Sequence, residues 1–72
     1  MQDMKIIVSK TQTEKSIVDF LESKGFILQM KLFQTSWVLI SKGKYSLFDF
    51  EPSNAYTTYH KVTLEELREI LN

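Results

Sequence analysis

The 72-residue sequence predicts an α+β domain, with a small antiparallel sheet of three to four strands packed on one face by two helices. Three observations predict it. Ile17, Val18, Phe20 and Leu21 make one apolar stripe at helical spacing, closed by Gly25. From Phe26 to Phe50 the chain alternates with a period of two and turns at Lys42-Gly43. From Thr63 onward, Leu64, Leu67, Ile70 and Leu71 form a second helical stripe.

Taken in chain order, residues 4–9 are a short β-branched run that suits an added first strand. Thr11 and Glu14 have capping-box spacing and open the first helix, with Lys15, Asp19 and Glu22 off its apolar stripe. Gly25 ends that helix because a residue without Cβ adopts the left-handed conformation freely. Phe26, Leu28, Met30 and Leu32 then fall on one strand face, and Ile27, Gln29, Lys31 and Phe33 on the other. Gln34-Thr35-Ser36 is a polar break, read as a turn centred on Thr35. The strand resumes at residues 37–41, and Lys42-Gly43 returns it through residues 45–50.

These two turns fix an expected register. Lys42-Gly43 sets Ile40 opposite Tyr45, Val38 opposite Leu47 and Trp37 opposite Phe48; Thr35 sets Phe33 opposite Trp37 and Met30 opposite Ile40. Pro52 marks a further turn, and residues 55–61, rich in Tyr and Thr, suit a fourth antiparallel strand. Thr63 and Glu66 form a capping box, Val62 and Leu67 a hydrophobic staple, and Glu65 and Glu66 sit where the helix dipole favours negative charge. The element order is β-α-β-β-β-(β)-α, in a single domain over residues 1–72.

Composition narrows the function classes. Nine Asp and Glu balance nine Lys and Arg, so there is no global basic field for nucleic acid. The charges are nonetheless segregated: Lys24, Lys31, Lys42 and Lys44 lie in a stretch without a carboxylate. There is no cysteine for a disulfide or a thiolate metal site, and the longest apolar runs are about four residues, against roughly 20 for a membrane helix. The N-terminal residues carry no apolar run of signal-peptide length. A cytoplasmic protein with no membrane association is expected, of a size that suits a bacterial, phage or mobile-element accessory protein.

The order helix, three strands, helix resembles double-stranded-RNA-binding domains. Residues 21–26, 37–48 and 63–71 are also similar to the short helix ending in Gly-Phe, the hairpin and the final helix of HicA-type RNA-cleaving toxins. Those toxins carry a catalytic histidine in a Gly-Ser-His motif, where Thr35-Ser36-Trp37 stands here. The basic run that opens the last helix of the double-stranded-RNA domains is replaced by Glu65 and Glu66. The resemblance therefore implies a degenerate fold of that kind, and element order does not transmit activity.

The second sheet face is the candidate site. It groups Phe33, Trp37, Leu39, Phe48 and Phe50 with Lys31 and Lys44 at its rim. Aromatics amid polar residues are what protein-binding hot spots contain, so the expected partner is another protein or a second copy of the chain, with Trp37 as anchor. The competing reading is internal cover of this face by the first strand, by residues 55–59 or by a helix. Stacking of single-stranded nucleic acid on the aromatics is the alternative function. No catalytic set is expected: His60 is the sole histidine and has no nucleophile–base arrangement around it. Asp49 and Glu51 lack a His or Cys at ligand spacing, and the two glycines form no phosphate cradle, so neither a metal nor a cofactor is expected.

Overall fold

The protein is described from a computed structural model, which covers residues 2–32, 34–52 and 58–72. Its elements are β1 (Met4–Ile7), α1 (Glu14–Ser23), β2 (Ile27–Lys31), β3 (Trp37–Ser41), β4 (Lys44–Phe48), β5 (His60–Lys61) and α2 (Leu64–Leu71). The α+β class is as expected, but among the described residues the sheet has five strands, is mixed, and runs in the order β2-β4-β3-β1-β5. Its three central strands are antiparallel, while β2 lies parallel to β4 and β5 parallel to β1.

The β3–β4 hairpin has the register read from its turn. Trp37 pairs with Phe48, Val38 with Leu47 and Ile40 with Tyr45. Lys42 and Gly43 both have positive φ, 53° and 77°. A two-residue hairpin whose twist matches its strands requires this at both central positions. The β2–β3 hairpin expected around Thr35 is not formed. β1 takes the free edge of β3, pairing Met4 with Ile40 and Ile6 with Val38. Met4 and Ile6 are thereby buried. With both sides of β3 filled, β2 pairs with the outer edge of β4 instead.

The connection between β2 and β3 makes this feasible. It must step over one strand, roughly 10 Å at the usual strand spacing, and a five-residue link reaches up to roughly 16 Å. Ser36 marks its arrival beside β3: its N–H donates to the Phe48 carbonyl, and its own carbonyl accepts from Val8. Along the chain α1 is followed by β2, β3 and β4, then by β5 before α2, and β2, β3 and β4 do not lie side by side in that order. The helix–three strands–helix order of the double-stranded-RNA-binding domains is therefore met neither along the chain nor across the sheet.

Both helices pack on one sheet face. Ile17 and Leu21 of α1 and Leu64 and Leu67 of α2 join Met4, Ile6, Val38, Ile40, Tyr45 and Leu47 in the core, with Val8, Val18, Phe20, Phe26, Val62 and Leu71 around them. Ile70, expected in the buried stripe, is exposed. The first helix begins two residues later than its sequence suggests, with Thr13 as N-cap accepting from the Ser16 N–H. The reason is Gln12. Its side-chain amide donates to the Ile7 carbonyl at 2.7 Å, and its side-chain oxygen accepts from the Leu64 N–H at 3.0 Å. One residue outside either helix thus ties the end of β1 to the start of α2.

Gly25, at φ 87°, ends α1 in the expected way. The Phe26 N–H bonds the Leu21 carbonyl and the Gly25 N–H that of Glu22, the two bonds of a Schellman motif. At α2 both halves of the Thr63–Glu66 capping box are present. The strand proposed at residues 55–61 falls partly on residues 53–57, which lie outside the described residues; of its described part, His60 and Lys61 are strand, parallel to β1, and Thr58 and Tyr59 are irregular. Among the described residues no helix is long and apolar enough to cross a membrane.

Two expectations follow. Lys42 holds a left-handed conformation that asparagine adopts more readily, so Lys42→Asn should stabilise the protein by about 0.5–1 kcal/mol in urea titration. The part-buried Tyr45 hydroxyl donates to the Glu22 carboxylate at 2.6 Å. Burial, then that hydrogen bond and the negative charge, push its pKa up from 10.0 to about 12. Between those values the unfolded tyrosine has lost its proton while the folded one retains it, so stability falls as pH rises. Wild type should exceed Tyr45→Phe by about 1 kcal/mol below pH 10, and the gap should close within about one pH unit above it.

Candidate functional site

Strand register identifies the face opposite the helices. Lys5 and Ile7 of β1, Trp37, Leu39 and Ser41 of β3, and Lys44, Ser46 and Phe48 of β4 share it through the pairs Lys5–Leu39, Ile7–Trp37 and Leu39–Ser46. Its centre is not open. Trp37 is only 8% exposed and Leu39 6%.

Part of the cover is cationic. The Lys5 and Lys61 ammonium groups lie 5.7 and 5.8 Å from the centroid of the Trp37 ring. Both distances are within the range where the negative face of an aromatic ring attracts a cation. Lys5 is itself buried and reaches the Glu51 carboxylate at 3.0 Å. A buried ammonium needs such a partner. Pro52, next to Glu51, is also buried. At the other end of this connection Tyr59 lines a cavity of about 180 Å³ with Gln29, Met30, Leu39, Ser46 and Phe48. Residues from both described ends of the β4–β5 connection therefore lie on this face.

The predicted site residues are only partly brought together as an accessible group. Trp37 and Leu39 are interior to the chain's own packing, as in the internally covered alternative. Phe48 is half-buried and Phe50 is 56% exposed; their rings stack with centroids 5.4 Å apart. Lys44 is exposed at the cavity rim. Phe33 lies outside the described residues.

Lys31 is a correction. Expected at the rim of this face, it pairs with Leu47, and its ammonium is 3.8 Å from Glu14 of α1, on the helix side. Met30, expected beneath the helices, pairs with Ser46 and lines the cavity instead. The cause is a register shift between Leu28 and Met30. One extra residue in a strand exchanges the faces of all that follow.

The most accessible apolar group lies elsewhere. All five residues of β2 are exposed, and β2 is an edge strand. Ile27 is 66% exposed and Met30 49%, with Leu28 exposed between them. Lys24 precedes this strand, Lys44 pairs with Ile27, and the Ile27 N–H bonds the carbonyl of Gly43, next to Lys42. The sequence does contain a signal for this edge. A helix connecting two strands favours their being parallel, which leaves β2 free to pair away from β3.

Chemistry-bearing groups do not converge on either surface. Among the described residues no group of three His, Asp or Glu could hold a metal. His60 is exposed at the start of β5, where its N–H bonds the Asp3 carbonyl. No protein-family model matches the chain, and neither a curated protein nor a solved structure matches it.

Because Trp37 is an interior residue, Trp37→Ala should cost about 3 kcal/mol in chemical denaturation. That is a large share of the roughly 4–11 kcal/mol expected of a domain this small. Trp37→Phe should cost less than half as much. A Trp37→Ala protein as stable as wild type would place the ring outside the packed structure.

Proposed function

We infer that this chain is a non-catalytic protein-binding domain that takes an extended segment of a partner onto the outer edge of β2. One observation carries the reading: an edge strand whose five residues are all exposed presents Ile27, Leu28 and Met30 together. An edge strand leaves a row of backbone donors and acceptors unpaired, and natural sheets normally blunt such edges. When another chain adds a strand, main-chain hydrogen bonds supply affinity and the alternating side chains supply selectivity. Here Ile27 and Met30 would meet side chains on one face of the added strand, and Leu28 those on the other. Phe50, stacked on Phe48 of the neighbouring β4, offers further apolar contact.

This reading keeps a protein partner but moves the anchor from Trp37 to the edge strand. Stacking of nucleic acid has less support, because the burial of Trp37 and Leu39 leaves no continuous aromatic platform.

Selection from a displayed library of short unstructured peptides tests the proposal. Binders should slow amide exchange in residues 27–31. The double variant Ile27→Ser, Met30→Ser should bind them at least about tenfold more weakly, a loss of about 1.4 kcal/mol. Its thermal melting should change little, since both side chains face solvent. Binders that protect another segment, and bind the double variant equally well, would contradict the assignment.

A further inference from the structure

We propose that the segment received by β2 is acidic, with carboxylates interspersed among apolar residues, and that it comes from another protein rather than a second copy of this chain. The inference rests on the reading of β2 as the docking strand and adds the chemistry of its occupant. Four exposed lysines lie on β2 or beside it, the Lys24 ammonium resting over the Phe20 ring. Lys24 lies at the α1 terminus that leads into β2, Lys42 is in the adjoining hairpin turn, Lys44 pairs with Ile27, and Lys31 ends the strand. Two carboxylates face the same region: Glu14, 3.8 Å from the Lys31 ammonium, and Glu22, which accepts the Tyr45 hydroxyl. Four positive charges against two negative leave the edge net basic in a chain whose overall charge is zero.

Charge also decides between the two occupants. Two copies of β2 paired antiparallel would bring this lysine-flanked edge, with Lys24, Lys31, Lys42 and Lys44, against the same edge of the other copy. Like charges placed together across strands are destabilising, and lysines on an exposed edge are a recognised means of preventing self-pairing. An acidic segment meets the same lysines as counter-charges, which raises both its encounter rate and its selectivity. The strand spans roughly 17 Å at 3.3 Å per residue, so five or six residues of the partner fill it.

The test uses three short, end-blocked peptides of alternating valine with glutamate, glutamine or lysine. Each is titrated into isotopically labelled protein while the amide resonances of residues 27–31 are followed. The glutamate peptide should bind about tenfold more tightly than the glutamine peptide at low ionic strength, and the advantage should shrink as salt is added. The lysine peptide should bind weakest. In the double variant Lys31→Glu, Lys44→Glu the order of glutamate and lysine peptides should reverse. Equal binding of the glutamate and glutamine peptides overturns the acidic occupant while leaving strand docking intact. Failure of every peptide to perturb β2 overturns docking as well. A dimeric light-scattering mass, with the amides of residues 27–31 protected in the absence of peptide, makes a second copy the occupant.

Discussion

Both edges of β3 are occupied, and the rest of the architecture depends on that. The Lys42-Gly43 turn commits one edge to β4, and β1 takes the other. Hydrophobic burial explains why β1 wins this place over β2. Met4 and Ile6 are almost wholly removed from water there, at roughly 1.5–3 kcal/mol for a fully buried large aliphatic side chain. Displaced to the outer edge of β4, β2 keeps its backbone pairing on one side only. Of its apolar side chains, Ile27 and Met30 lie on the face away from the helices and Leu28 on the helix face, and all three stay exposed.

The two sheet faces are closed by different physics. On one, aliphatic side chains from α1 and α2 meet the strands in a conventional core, and the Tyr45 hydroxyl finds Glu22 at its margin. On the other, Trp37 sits beneath cations, with Lys5 linked onward to Glu51 and Lys61 supplied by β5. Long lysine stems can cover apolar surface while their charged heads find partners or water. A chain of this length has too few apolar residues to build two full cores, and the lysine cover economises on them. It also removes Trp37 from the surface on which a binding role would have placed it.

Much of the fold was legible because local signals and pairing agreed. The β3–β4 register, the Schellman end of α1 and the capping box of α2 each follow from residues close together in sequence. What could not be read was non-local. Alternation in residues 26–32 is the same whether β2 pairs with β3 or β4, so the polar break at Gln34-Thr35-Ser36 passed for a hairpin turn. The register shift after Leu28 then exchanged Met30 and Lys31 between faces. Thr11 resembled an N-cap as well as Thr13 does, and only the long-range bonds of Gln12 to Ile7 and Leu64 separate them. The burial of Trp37 and Leu39 was hidden for a related reason. Trp37 has the composition of a hot spot, yet its accessibility depends on where β5 and the β4–β5 connection lie.

Strand order is therefore the decisive quantity, and cross-strand proton–proton contacts in solution measure it directly. Parallel pairing of β2 with β4 requires contacts from Ile27 to Lys44 and from Leu28 to Tyr45, together with Ile6 to Val38 across β1 and β3. All of these should be present in the free protein. A set joining Met30 to Ile40 instead would return β2 to the side of β3, and the exposed edge on which the proposed docking depends would no longer exist.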